Sequence, residues 1–181
     1  MKQLQTVYFT LKMDDGLETA VRNRWEQLRD AGLPAPGADS MRPHITLAGY
    51  EQVDPNRFIP FLERFTRRRP AIPLMLHHLG IFPRKGVLFL AARVTRRLIR
   101  LQRELLDGLQ ATGFAPQENP HLRPDQWVPH CSLLIEAAPR QLQRGVALST
   151  AEWQPLTGFA VGIGLVLFPE KADLFYFPFS G

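Results

Sequence analysis

Two kinds of hydrophobic spacing alternate along the chain, and they predict alternating strands and helices. Apolar runs rich in β-branched and aromatic residues indicate strands, whereas leucines spaced three or four residues apart indicate the buried face of a helix. Strands are predicted at about 4–12, 43–50, 71–82, 86–94, 128–136, 156–168 and 172–179, and helices at about 16–31, 54–68, 95–111 and 138–150. Strands joined as hairpins, with helices between them, indicate an α+β fold.

The chain also repeats itself at an interval of 86 positions, from His44 to His130. At that interval Phe82-Pro83-x-Lys85 falls on Phe168-Pro169-x-Lys171, and Leu88-Phe89 falls on Leu174-Phe175. Only two copies are present, so the repeat predicts two related halves and not a solenoid.

We therefore expect a single domain spanning 1–181 and made of two pseudo-symmetric halves, about 1–85 and 86–181. In this duplicated two-lobed α+β fold, each lobe is a mainly antiparallel sheet with helices on its outer side. Strand 86–94 serves the second half as strand 4–12 serves the first. A cleft between the lobes is the expected place for a functional site.

Each half carries one copy of a short motif, Pro43-His44-Ile45-Thr46-Leu47 in the first and Pro129-His130-Cys131-Ser132-Leu133 in the second. Because side chains alternate along a strand, each histidine shares a face with the hydroxyl residue two positions later, about 6.5–7 Å away. A single strand histidine usually has a structural role. The recurrence of the same residue types in equivalent places favours function.

Two imidazoles and two hydroxyls suit chemistry on a phosphate ester. Histidine transfers protons near neutral pH because its ordinary pKa is about 6.5. In-line displacement places the attacking and leaving oxygens on opposite sides of phosphorus, so a base and an acid on opposite walls of a cleft fit that geometry. The hydroxyls of Thr46 and Ser132 can donate to the phosphoryl oxygens.

With these paired motifs, the whole chain resembles the 2H phosphoesterase superfamily, in particular its 2′-5′ RNA ligase-like and cyclic phosphodiesterase members. The resemblance implies hydrolysis of 2′,3′-cyclic or related cyclic phosphates without a metal or cofactor, and in some members formation of 2′-5′ linkages. It implies that His44 and His130 are the catalytic acid and base and that Thr46 and Ser132 bind the phosphate. Which histidine is the base is left open by motifs that are so alike.

The chain departs from many relatives in one respect. Where they carry a basic residue a few positions after a motif, this chain has Ala48-Gly49-Tyr50 and Leu134-Ile135-Glu136. Arg42 is the nearest alternative source of positive charge at the phosphate. Trp127 and Tyr8 are further candidate substrate contacts, since aromatic rings stack on unpaired bases.

Composition limits the partners and the setting. A formal net charge of +5 in 181 residues favours anionic partners, here RNA ends or small cyclic nucleotides. No apolar run approaches the roughly 20 residues of a membrane helix, so we expect no membrane association. The single cysteine, Cys131, excludes an internal disulfide and fits the reducing cytoplasm. We expect a monomer.

Two other functions remain open from the sequence. The first is a non-catalytic nucleotide- or RNA-binding module that uses the same phosphate pocket, which the missing basic residues favour. The second is a 2′-5′ RNA ligase in the strict sense.

Overall fold

A computed structural model describes residues 5–37, 41–113, 122–168 and 172–181. The strands of these ranges are β1 Gln5–Met13, β2 His44–Val53, β3 Ile72–Phe82, β4 Val87–Ala92, β5 His130–Leu134, β6 Leu156–Phe168 and β7 Ala172–Pro178. The α-helices are α1 Asp15–Asp30, α2 Ile59–Thr66, α3 Arg96–Gln110 and α4 Pro139–Ala151. Each observed element corresponds to a predicted one, which confirms the α+β class.

Local signals start the two longest helices. The side chain of Asp14 accepts a hydrogen bond of 2.9 Å from the backbone N–H of Leu17, and that of Thr95 accepts one of 3.2 Å from Leu98. Such caps stabilise a helix by about 1 kcal/mol each because they satisfy N–H groups that have no partner inside the helix. The helix predicted at 54–68 begins instead as a 3₁₀ turn, Pro55–Phe58, and continues as α2.

All strand pairs are antiparallel, and the sheet runs in the order β2-β1-β6-β3-β4-β5, with β7 also pairing with β6. Ala160 of β6 is opposite Met13 of β1 and Ile72 of β3, so these two strands lie on opposite edges of β6. Beyond that point β7 takes the place of β3. The thirteen-residue β6 thus joins two smaller sheets.

Each smaller sheet takes two strands from one half of the sequence and its third strand from the other half. β1 and β2 come from the first half, and their third strand, β6, comes from the second. β4 and β5 come from the second half, and their third strand, β3, comes from the first. The predicted division near residue 85 stays a prediction, and the repeated turn at 169–171 lies outside the described residues.

The two motif strands occupy equivalent places, as the two outer edges of the six-strand path. β2 pairs with β1 as β5 pairs with β4, and β2 and β5 also contact each other. The sheet therefore curls until its edges face one another. This curl brings the distant motifs together.

A β-bulge lies at the last residue of each motif. Leu47 has no partner between the pairs Thr10–Thr46 and Phe9–Ala48, and Leu133 has none between Phe89–Ser132 and Leu88–Leu134. An extra residue reverses the alternation of faces along the strand. His44 and Thr46, before the bulge, face away from the core. Tyr50, at even spacing from them but beyond the bulge, packs into the core against Phe9 and Phe58.

The core is continuous through both smaller sheets and is closed by the helices. Leucines of α3 pack into it, namely Leu98, Leu101, Leu105 and Leu109. Among the described residues, no helix combines the length and the apolar character needed to cross a bilayer.

Candidate functional site

The curled sheet encloses a cleft of about 520 Å³, and both motifs contribute to its lining. His44 and Thr46 come from β2, and His130 and Ser132 from β5. All four side chains are half-buried, so they reach solvent through the cleft. Further lining comes from β1, from Trp25 of α1 and from the segment 34–37. The structure therefore brings together the four residues that the motifs single out.

The two imidazoles are held in the same way. Nδ1 of His44 lies 2.8 Å from the carbonyl oxygen of Arg42, and Nδ1 of His130 lies 2.7 Å from that of Val128. A carbonyl oxygen only accepts, so Nδ1 carries the hydrogen in both rings. In the neutral form of each ring, Nε2 is then the nitrogen that can accept a proton.

The hydroxyl residues are fixed through their backbone by two indoles. Trp25 Nε1 donates to the carbonyl oxygen of Ser132 at 2.8 Å, and Trp127 Nε1 donates to that of Thr46 at 3.0 Å. Each tryptophan therefore binds the motif of the other half. The pair links β5 to α1 and β2 to the segment that precedes β5.

Of the additional candidates, Tyr8 lines the cleft. Its ring packs edge-on against Phe168, with the ring centroids 5.0 Å apart. Thr10, two positions along β1, also lines the cleft and donates from its hydroxyl to the carbonyl oxygen of Gly164 at 3.2 Å. Phe9 faces the core.

Arg42 and Trp127 lie elsewhere. The guanidinium of Arg42 binds Glu18 of α1 through Nε at 2.7 Å and Nη2 at 2.6 Å, and it is not part of the cleft lining. Trp127 is 7% exposed and belongs to the core, and its indole N–H donates to the carbonyl oxygen of Thr46. Arg42 contacts His44 through its carbonyl oxygen, and Trp127 contacts the backbone of Thr46 through its indole. Neither residue lines the cleft.

A buried cation lies beside His44. Burial lowers the pKa of His44 from 6.5 to about 4; the bond to the Arg42 carbonyl opposes this shift, and the positive charge of Lys12 adds to it. Lys12 is 1% exposed and forms an ion pair with Asp173. The ring of His130 packs against those of Phe82 and Phe89, with centroids 5.0 and 4.9 Å away.

Cys131 lies at the wall of the same cleft but is 1% exposed. Burial raises the pKa of its thiol to about 12, and the thiol also interacts with the backbone of His44. A thiol with so high a pKa is a poor nucleophile. Within the described part of the chain, no three His, Cys, Asp or Glu side chains are grouped to hold a metal ion.

Lys12 and Trp25 lie at this site, and the sequence motifs did not indicate either residue. Lys12 does carry a signal, because it interrupts an apolar strand at even spacing from Tyr8 and Thr10 and so shares their face. Trp25 has the spacing of a core residue in α1, and nothing in its spacing shows that its N–H is aimed at Ser132.

The arrangement provides two proton-transfer groups and two hydroxyl donors in one cleft. One imidazole is held neutral near pH 7 and can accept a proton at Nε2. Both rings and both hydroxyl residues line the same cleft. Groups of these kinds can perform acid–base chemistry on a phosphoryl group.

Comparisons with known proteins identify the family of this chain. The model of the 2′-5′ RNA ligase superfamily matches residues 17–167. No curated protein matches the chain by sequence. Among solved structures, TT0787 of Thermus thermophilus superposes with a TM-score of 0.65 at 19% identity, covering 97% of this chain and 98% of that one.

LigT of E. coli in its apo form superposes with a TM-score of 0.62 at 20% identity, over 98% of this chain and 96% of that one. The ns2 PDE domain of MHV gives 0.52 at 14% identity, over 91% and 97%. At such identities the structural likeness shows the fold, whereas the family model spans most of the sequence, including both motifs. The chain therefore belongs to the 2′-5′ RNA ligase superfamily of 2H phosphoesterases.

Proposed function

We propose that this protein is a phosphodiesterase that opens the 2′,3′-cyclic phosphate of nucleotides or RNA ends by two-histidine acid–base catalysis. The observation that carries the proposal is the placement of His44 and His130 in one cleft, each with Nδ1 bound to a backbone carbonyl, which assigns proton transfer to Nε2. The chemistry needs no further group, and we propose that it needs no metal.

We assign the base to His44 and the acid to His130. The lowered pKa of His44 keeps this ring neutral near pH 7, which is the form that accepts a proton from water. As the water oxygen bonds to phosphorus, one ring oxygen of the cyclic phosphate leaves and takes a proton from Nε2 of His130. One P–O bond forms and one breaks, and a ribose phosphate monoester results.

Thr46 and Ser132 are assigned as donors to the phosphoryl oxygens. They stand beside the two histidines on opposite walls, so they can steady charge on phosphorus from both sides. A cyclic phosphate diester carries one negative charge, less than a phosphate monoester carries at neutral pH. Hydroxyl donors suit that smaller charge.

A nucleotide substrate fits the remainder of the cleft. Tyr8, Phe168 and Trp25 present aromatic surface near the motif residues, and such rings stack on bases. Crystal structures of LigT, which shares the fold, contain 3′-AMP, ATP or NADP+. We carry nucleotide binding over to this chain as part of the proposal.

The same site could also join RNA. If the hydroxyl of a second RNA strand replaces water as the attacking group, the cyclic phosphate opens into a new phosphodiester instead of a monoester. We propose 2′-5′ ligation as a secondary activity. A cytoplasmic location and a monomeric state stay predictions.

The test incubates the protein with the four nucleoside 2′,3′-cyclic monophosphates and with an RNA that ends in a 2′,3′-cyclic phosphate, all in excess EDTA. We expect turnover in the chelator, and a loss of about 10²–10⁴-fold in kcat for His44→Ala or His130→Ala, because each removes one proton-transfer group. His78→Ala is the matched control, since His78 is an exposed strand histidine outside the cleft.

Absence of turnover across this panel would overturn the proposal. If 3′-AMP still binds in that case, and His44→Ala only weakens its binding, the protein is a nucleotide-binding module. Turnover that EDTA abolishes would instead refute the metal-independent mechanism. Equal losses in His78→Ala and His44→Ala would refute the assignment of the site.

A further inference from the structure

Lys12 is a buried charged side chain that the proposed mechanism does not use. It is 1% exposed and lies among apolar residues of β1. Lys12 is the cross-strand partner of His44 on β2. Side chains of such cross-strand partners lie on the same face with their Cβ atoms about 5 Å apart. Lys12 is therefore the side neighbour of one catalytic histidine.

Asp173 holds the lysine in this place. Its carboxylate forms an ion pair with Nζ of Lys12, and its side chain is 31% exposed. Asp173 lies on β7, so the lysine side chain must cross β6 to reach it. It crosses at Gly164, where an added Cβ would collide with the lysine side chain. Three strands thus contribute to the placement of one ammonium group.

The second motif has an uncharged residue at the equivalent position. The cross-strand partner of His130 on β4 is Ala91, which holds the place that Lys12 has beside His44. A contact that served only to shape the fold has no reason to differ in charge between the two copies. The asymmetry matches the separation of the two histidines into base and acid.

Besides Lys12, Asp173 from β7 and His130 from β5 act on the charge of His44. Cys131 from β5 contacts its backbone, and Glu136 lines the same cleft. Glu18 from α1 and Arg42 from the segment before β2 bind each other, and the ring of Tyr176 from β7 faces the Arg42 guanidinium.

We propose that Lys12 is a positioning residue of the catalytic site, a buried cation that Asp173 anchors beside His44 and that keeps the imidazole of His44 neutral and ready to act as base. The catalytic consequence rests on the proposed function, whereas the electrostatic effect on His44 does not. A nearby positive charge disfavours a second one on the ring. Removing it must therefore make protonation of His44 easier.

The experiment follows the protonation of His44 by NMR in protein with labelled histidine, with the His44 signal assigned from a His44→Gln variant. In Lys12→Met we expect the midpoint of the His44 titration to rise by about one pH unit or more. Methionine is a suitable replacement because it is unbranched and adapts to the same space. Lys85→Met, at an exposed lysine of the 3₁₀ turn Pro83–Lys85, should leave the midpoint unchanged.

Asp173→Asn provides a second variant, which removes the anchor. It takes away a negative charge that favours a proton on both Lys12 and His44, so it is interpreted only in combination with Lys12→Met. If Lys12→Met does not fold, Lys12→Gln, which can still hydrogen-bond to Asp173, replaces it with the same expected rise. The double variant Lys12→Met/Asp173→Asn should give a smaller rise than Lys12→Met.

Activity provides a separate readout. If the protein turns over cyclic phosphates, the acidic limb of its kcat/KM profile should move upward in Lys12→Met by the same amount as the NMR midpoint. An unchanged His44 midpoint in folded Lys12→Met or Lys12→Gln, or an equal rise in Lys85→Met, would overturn the proposal. A shifted midpoint in a protein without turnover would leave it standing and refute the proposed function instead.

Discussion

The hydroxyls of Thr46 and Ser132 occupy equivalent places in the cleft, two residues beyond each histidine. Their proposed role as phosphate donors differs from the one proposed for the histidines, because a donor stabilises charge but moves no proton. A hydrogen bond to a charged group contributes about 1.5–3 kcal/mol, which corresponds to about ten- to a hundredfold in rate. The two kinds of residue can therefore be told apart by the size of the loss.

We expect Thr46→Val and Ser132→Ala each to lower kcat/KM on a 2′,3′-cyclic nucleotide by about ten- to a hundredfold. The pH profile should keep its shape, because both titrating groups remain. Thr157→Val, an exposed strand threonine outside the cleft, is the control and should retain full activity. A loss as large as that of His44→Ala would contradict a donor role.

At the residue scale, the sequence was sufficient to identify the motif residues but not the residues that hold them in place. His44 and His130 could be found because the repeat presents them twice in the same context. Lys12 stands out as a charge in an apolar strand, but its contacts could not be predicted, because Asp173 and Gly164 lie on strands that the chain reaches more than 150 positions later. Such long-range contacts leave no spacing to read.

At the scale of elements, the positions of strands and helices could be predicted because each follows from local periodicity and capping. The bulges at Leu47 and Leu133 could not, since a bulge is a property of a strand pair. They matter for the site because they end the row of side chains that faces the cleft: Tyr50 and Leu134, at even spacing from the motif histidines, are buried in the core.

Each of the edge strands β2 and β5 accepts a hydrogen bond from one tryptophan of another segment. An edge strand has backbone groups without a ladder partner, and the indoles of Trp25 and Trp127 satisfy one carbonyl oxygen on each. Their separation in sequence, from 25 to 127, differs from the repeat interval of 86. The repeat therefore gives no hint of this pair.

We expect Trp25→Phe and Trp127→Phe each to lower the free energy of unfolding by about 1–3 kcal/mol, because a buried carbonyl loses its donor while most of the packing stays. We also expect kcat to fall about tenfold, a loss worth about 1.4 kcal/mol of transition-state stabilisation, with a smaller change in KM, because the hydroxyls lose their alignment rather than their presence. Denaturant unfolding and steady-state kinetics measure the two effects.

Trp153→Phe is the matched control, because the third tryptophan packs at the edge of the core and lies outside the cleft lining. It should leave kcat unchanged. An equal fall of kcat in all three variants would mean that general loss of packing, and not the indole hydrogen bonds, explains the effect.

At the scale of the whole molecule, the repeat and the topology divide the chain differently. The repeat cuts it near residue 85, at the turn between β3 and β4. The sheet places β3 with β4 and β5, and β6 with β1 and β2. The number of strands could be predicted from the sequence, but the pairing of strands from different halves could not, because it depends on packing over the entire core.

The pairing of strands from different halves makes each half depend on the other for folding. In a fragment 1–85, β3 would lose both of its partners, β4 and β6, and both of its edges would be unpaired. In a fragment 86–181, β6 would lose β1, with which it shares its longest register, and also β3. Unpaired strands with apolar faces expose backbone groups and core side chains to water, so neither fragment retains a complete core.

We therefore expect that neither fragment folds cooperatively alone, and that the two refold together into one active complex. Urea unfolding followed by circular dichroism should show no sigmoidal transition for either fragment and a single one for the equimolar mixture. The intact chain is the reference. A cooperative transition in fragment 1–85 alone would mean that the first half closes its own core, and β6 would then be an addition to a complete sheet rather than a part that the sheet requires.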